Sequence, residues 1–180
     1  GSVKEIGDNA FSETSIKSLF LPDSLIRLGQ YAFSLCDKLE YLDTGDGLTS
    51  IEGSWDWGGF QGLTNLKTVV LGKNISSCWL EDSINLEKYV VDKDNLYLSV
   101  DEYGVLYNKD KTSLVDYPAG STLSEYEIPE GVTYIWGAFF DTQNLRKIII
   151  PSTVKSIGGF RNCVNLETVN IKFGPTEITS

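Results

Sequence analysis

The sequence predicts an α+β solenoid: stacked coils with a parallel β-sheet on one face, short helical turns opposite, and a small β-meander insert. Three observations predict it. One strand pattern recurs seven times, a small residue followed by Phe recurs ahead of most copies, and one interval between copies is too long for a plain coil.

The strand pattern runs through 18–25, 41–48, 68–75, 88–95, 125–132, 147–154 and 168–175. Apolar residues alternate at its second and fourth positions, and Pro22, Gly45, Gly72, Pro129 or Pro151 follows. Alternation marks a strand with one buried face, and Pro or Gly ends it. The inward anchors are Leu19, Leu42, Val69, Tyr89, Tyr126, Ile148 and Val169, spaced 23, 27, 20, 37, 22 and 21 residues apart. They are expected to line up along one continuous sheet.

The second motif is Ala10-Phe11, Ala32-Phe33, Gly59-Phe60, Ala138-Phe139 and Gly159-Phe160. In four of these Leu follows six positions later, at Leu39, Leu66, Leu145 and Leu166, with Cys36, Leu63, Thr142 and Cys163 midway. Spacing by three predicts a tight helical turn with one face inward. The small residue lets neighbouring coils approach. An apolar pair opens each coil: Val3/Ile6, Leu25/Leu28, Leu48/Ile51, Val132/Ile135 and Val154/Ile157. No single coil can bury its apolar stripe, so the pattern must recur for the fold to be stable.

One domain over 3–180, of about seven coils, is expected. The long interval holds a β-meander insert over 95–120. Its strands are expected at 104–108 and 112–117, joined by Lys-Asp-Lys, with 96–100 as a third, and a lone hairpin being marginal, it should pack on the solenoid. Gly1-Ser2 reads as a cloning scar, and the lack of Met marks the chain as a fragment.

Composition removes several function classes. Net charge is −10, a surface that repels phosphate backbones and anionic lipid, so neither nucleic acid nor a membrane surface is an expected partner. No apolar run is long enough to insert in a membrane. There is no His, which excludes Ser-His-Asp and Cys-His catalysis and most zinc sites. Asp43-Thr44-Gly45 has the form of an aspartic-protease loop. It occupies the place of Phe20 in the repeat, however, and the chain has no second such motif to share the proton. No catalytic residue, metal site or cofactor is expected. Asp92-Lys93-Asp94 and Asn108-Lys109-Asp110 read as turns, since neither completes a calcium loop. Cys36, Cys78 and Cys163 read as core residues. Cys36 and Cys163 lie five coils apart, about 24 Å at one strand spacing per coil, far beyond disulfide reach. The sequon Asn74-Ile75-Ser76 is assigned no role.

The stretches "VKEIGDNAFSETSIKSLFLPDSL" and "LIRLGQYAFSLCDKLEYLD" resemble the BspA-like bacterial leucine-rich repeats, and "SVDEYGVLYNKDKTSLVDYPAG" resembles an insert found in secreted members. Residues 49–60 and 75–86 depart from the pattern. The resemblance implies a right-handed solenoid, an extracellular or cell-surface address, and adhesion or binding in place of catalysis.

Stacked strands turn equivalent residues into columns. One reads Lys17, Glu40, Lys67, Glu87, Ser124, Arg146, Glu167, with alternating sign that keeps register on a solvated face. The outward mid-strand column reads Phe20, Asp43, Val70, Val90, Glu127, Ile149, Asn170. Its apolar members Phe20, Val70, Val90 and Ile149, with Tyr41, are candidate ligand-binding residues, because contiguous exposed apolar surface marks contact. Trp55 and Trp57, flanking Asp56 in an irregular loop, are further candidates for stacking on a sugar or anchoring a protein. The expected function is a non-catalytic binding or adhesion module for an extracellular protein or glycan. The alternative is a structural spacer in a larger surface protein.

Overall fold

The computed structural model describes residues 2–52, 58–80, 82–135 and 137–173. Its strands are β1 (Glu5–Ile6), β2 (Ser18–Phe20), β3 (Arg27–Leu28), β4 (Tyr41–Asp43), β5 (Ser50–Glu52) and β6 (Thr68–Leu71). They continue with β7 (Ser77–Trp79), β8 (Lys88–Val91), β9 (Leu98–Val100), β10 (Leu106–Asn108) and β11 (Ser113–Asp116). The last are β12 (Glu125–Glu127), β13 (Tyr134–Ile135), β14 (Lys147–Ile150), β15 (Ser156–Ile157) and β16 (Thr168–Ile171).

The anchor strands pair in parallel in the expected register, but not as one continuous sheet. Leu19, Leu42, Val69 and Tyr89 are successive partners in the sheet β2-β4-β6-β8. Tyr126, Ile148 and Val169 are successive partners in a separate sheet, β12-β14-β16. The ladder stops between them because the Tyr89 N–H donates to the carbonyl of Gly104, in the insert, at 3.0 Å. The apolar pairs that open the coils form a second set of parallel strands. Glu5 and Ile6 pair with Arg27 and Leu28, Ile51 with Cys78, and Leu114 with Ile135 and then Ile157.

The α+β class and its helical turns are overturned: among the described residues there is no helix, and the fold is an all-β parallel solenoid. The reason lies in the backbone. The residue two after each motif Phe has positive φ: Glu13 (58°), Leu35 (56°), Gly62 (63°), Asp141 (58°) and Asn162 (59°). A left-handed residue cannot continue a right-handed helix. Alternate N–H groups then point to the next coil. Those of Asn9, Phe11 and Glu13 donate to the carbonyls of Gln30, Ala32 and Ser34 at 2.9, 2.8 and 2.8 Å. Spacing by three was real, but it came from turns laddered between coils and not from hydrogen bonds within one.

Inward residues stack coil on coil. The rings of Phe11, Phe33 and Phe60 lie nearly parallel, with centroids 5.2 and 5.6 Å apart. Tyr117, Phe139 and Phe160 form the same column in the second half, at 4.9 and 4.7 Å. The core is correspondingly in two clusters, one running from Leu21 to Leu106 and one from Val105 to Ile150. Asn65, Asn85, Asn144 and Asn165, each just before the closing Leu, donate side-chain N–H groups to Asp37, Thr64, Ser121 and Gln143 carbonyls of the preceding coil. Gly72 marks the tightest approach of backbones, since a Cβ there would meet the Gly45 carbonyl oxygen at 1.9 Å. Cys36 and Cys78 are buried, while Cys163 is half-buried, and all three are free thiols. Cys163 and Val169 are more open than expected because their coil, among the described residues, has a neighbour on one side only.

The insert is an antiparallel meander, β9-β10-β11, whose last strand pairs in parallel with β13. It thus enters the solenoid wall instead of lying on it. Buried Asn95 fastens its start: the side-chain N–H group donates to the Gly72 and Ile75 carbonyls, and the side-chain oxygen accepts from the N–H of Tyr97 and Leu98. Tyr89 of β8 donates its hydroxyl to Asp116 of β11 at 2.5 Å. Asp116 is half-buried by area, yet protein atoms crowd its carboxyl, and that lost solvation pushes it up to about 7.

Three substitutions test this account. Phe33→Ala removes the middle ring of a stack and costs about 3–5 kcal/mol, a Tm drop of about 10 °C in a thermal melt. Lys67→Ala, which breaks only the exposed 2.9 Å pair with Glu40, leaves Tm nearly unchanged. For Asp116, the folded carboxyl binds its proton more tightly than an unfolded one near 3.9. The folded state then holds the extra proton between these values, so its stability falls as pH rises from about 4 through 7. Asp116→Asn removes that loss, and its Tm gain over the native chain is larger at pH 8 than at pH 5.

Candidate functional site

The outward face of the first sheet carries the predicted apolar column. Phe20, Asp43, Val70 and Val90 are register partners on four adjacent strands. Phe20 is 68% exposed and Val90 41%, while Tyr41 and Val70 are half-buried. Phe20 and Tyr41 lie with ring centroids 5.3 Å apart, so the aromatic pair forms one end of the strip. Asp43 interrupts it without chemistry of its own: its carboxylate accepts the Gly45 N–H at 3.0 Å and closes the turn.

Ile149 does not join this strip. It lies on the second sheet between Glu127 and Asn170, beyond the insert. The proposed contact face is therefore two patches. Trp55 and Trp57 lie outside the described residues. The charge column holds within each half, with Lys67–Glu40 at 2.9 Å and Arg146–Glu167 at 2.7 Å. Hydrogen bonding between Lys67 and Glu40 raises the ammonium and lowers the carboxylate, which keeps both charged.

Between the patches lies a cleft that sequence reasoning missed. It has a volume of about 470 Å³ and is lined by Asp101, Glu102, Tyr103, Glu125, Tyr126 and Glu127, among others. Its carboxylates are largely committed. Asp101 accepts the N–H groups of Tyr103 and Val105 at 2.9 Å and the Tyr126 hydroxyl at 2.6 Å. Glu125 pairs with Lys147 and Glu127 with Lys172. Tyr126 also meets the Tyr107 hydroxyl, and burial raises both phenols far above their ordinary range, so both keep their protons. This arrangement fixes the insert against β12. Tyr126 stands in an anchor column otherwise mostly aliphatic, which was the visible signal for a polar partner.

The Asp92 and Asp110 segments are turns: Asp92 accepts the Asp94 N–H at 2.7 Å, and Asp110 accepts the Thr112 N–H at 3.1 Å. Among the described residues no group of three or more Cys, Asp or Glu could hold a metal ion, and no helix is long and apolar enough to cross a membrane.

Parallel coils of this length, opened by Val/Ile or Leu pairs and closed by Asn-Leu, define a leucine-rich-repeat solenoid. The profile of the BspA type Leucine rich repeat region matches six copies over residues 1–100 and 119–180, and the chain belongs to that family. The fold is similar to that of the pneumococcal vaccine antigen PcpA, with a TM-score of 0.76 and 24% identity over 93% of this chain and 42% of that one. A leucine-rich repeat protein from Eubacterium ventriosum matches with a TM-score of 0.64 and 24% identity, over 94% of this chain and 58% of that one. A leucine rich cell surface protein from Faecalibacterium prausnitzii matches at 0.54 and 17%, over 93% and 64%. The chain thus spans less than two thirds of each of these proteins. No curated protein matches significantly.

Proposed function

We propose that this chain is a non-catalytic binding module of a bacterial surface protein, and that the outward face of its first sheet holds a protein partner. The observation that carries the reading is the strip of Phe20, Tyr41, Val70 and Val90 on four hydrogen-bonded strands. Its backbone is fixed by the ladders, so binding costs little ordering of the site. An apolar centre with exposed Phe20 and half-buried Tyr41, beside the charged column Lys17, Glu40, Lys67 and Glu87, has the composition of a protein-binding patch. The surface address is supported by the family and by a similar fold in a protein described as a cell surface protein.

The chain is screened against extracellular matrix proteins and glycans, then compared with Phe20→Ala/Val90→Ala and Trp55→Ala/Trp57→Ala. The strand-face pair is expected to weaken protein binding at least tenfold. Unchanged affinity in that variant removes the strip from the site, and binding of glycans alone, lost with the tryptophans, transfers it to their loop. If a longer protein that contains this chain binds a ligand that the chain alone does not, the array acts as a spacer.

A further inference from the structure

Counting back six residues from each closing Leu aligns the coils position by position. Leu66, Leu145 and Leu166 lead back to the pairs Gly59-Phe60, Ala138-Phe139 and Gly159-Phe160. Leu86 leads back to Trp79-Leu80, and Leu123 to Asp116-Tyr117. The fourth coil also conforms in its backbone, since Asp82, two after Leu80, has the positive φ (62°) of its counterparts. In two adjacent coils, then, the small residue that lets turns approach is replaced by Trp and Asp. In the first of them the stacking ring is replaced by Leu80, and the midway residue, Leu63 in the preceding coil, by Ser83.

The consequence is a gap in the wall. β7 pairs only with β5, and β11 with β10 and β13, so the parallel ladder on this face stops between β7 and β11. The missing ring volume leaves a cavity of about 160 Å³, lined among others by Trp79, Ser83, Leu86, Asp116, Phe140 and Asp141. This is close to the ~150 Å³ of a cavity that accepts benzene. Its lining is not inert. Ser83 is 5% exposed, and among the described residues its hydroxyl has no hydrogen-bond partner. Asp116 has no ion-pair partner among the described residues. Trp79 meets Phe140 edge to face at 6.3 Å and forms an aromatic wall. Arg161, the one cation at the cavity among the described residues, is exposed and lies over Phe140, 5.2 Å from the ring centroid.

We propose that this wall cavity binds a primary alkylammonium group, with the ammonium on the Asp116 carboxylate and its chain along Trp79 and Leu86. Three carboxylates, Asp82, Asp116 and Asp141, face one guanidinium, so the site favours a cation over an anion. The aliphatic and indole walls suit an alkyl stem and add cation–π attraction. The volume limits the guest to the size of a lysine side chain, supplied by a free amine or by a peptide. The Ser83 hydroxyl gains a partner when an N–H donor enters. Asp116 also faces Tyr89 of β8, which itself meets Cys78 of β7, and the Tyr89 hydroxyl, raised by burial, remains a donor to Asp116. An arriving ammonium replaces the solvation that Asp116 has lost, so binding and loss of its proton are linked. This site lies on the wall and stands independently of the strand-face reading.

The test is ligand-observed NMR titration of the chain with n-butylammonium and with a capped Ala-Lys-Ala peptide, with n-butanol and butyrate as controls. At least one amine is expected to bind ten or more times more tightly than n-butanol, with butyrate weaker still. Titration of Asp116 near 7 makes amine affinity about tenfold higher at pH 8 than at pH 6. Asp116→Asn, whose amide oxygen still accepts from Tyr89, weakens it at least tenfold and removes the pH dependence, with folding checked by thermal melt. Trp79→Leu weakens it independently. Equal binding of butanol and amine, binding of neither amine, or unchanged amine affinity in Asp116→Asn overturns the proposal. Binding only the peptide, or only the free amine, identifies the source of the group.

Discussion

Each coil of this protein is held by the hydrogen bonds its alternate backbone N–H groups donate to the next coil. At the turns, Asn9, Phe11 and Glu13 reach across to Gln30, Ala32 and Ser34, and Tyr31, Phe33 and Leu35 reach to Gly58, Gly59 and Gln61. The same pattern fixes the rings above one another, because a side chain between two bridging N–H groups has no freedom to leave its column. The parallel Phe11, Phe33 and Phe60 rings, the asparagine ladder and the register of the charge column are all set by that repeat distance. A coil this short cannot pair its buried backbone polar groups within itself, so they pair between coils.

The insert shows what happens when the ladder is interrupted. It contributes Tyr117 to the aromatic column and β11 to the parallel wall, so the second half resumes the same geometry. On the strand face it diverts the Tyr89 N–H to Gly104 and divides the sheet. Polar links cross the seam where strand pairing does not: Tyr89 to Asp116, and Asn95 to Gly72 and Ile75. Both features of functional interest beyond the regular strip, the cleft at Tyr103 and the cavity at Trp79, lie along this seam. Regular coils stack too closely to leave space for a ligand, and irregular ones do so at the cost of a buried carboxyl held near 7.

The repeat was legible because inward positions tolerate only apolar residues of similar size. The anchors from Leu19 to Val169 and the motif phenylalanines could be read directly, and the three strand pairings of the first sheet follow from them. Phe20 and Val90 were legible as outward apolar residues by alternation. Trp79 obeys the same rule, lying outward beside inward Cys78, but the irregular spacing around it hid the coil to which it belongs. Asp116 gave no local signal, since its significance comes from the place it takes beside Tyr117.

By itself the sequence determined the repeating unit, its register and which side of each strand faces inward, since these depend on residues close together and on one shared apolar interior. The tertiary structure decided that the turns are not helical, that the strand face is split, and that a cavity opens between β7 and β11. Those outcomes depend on where a backbone N–H finds its acceptor in the next coil, some twenty or more residues away, and on whether a ring or a gap lies between two coils. A periodic pattern carries no record of either.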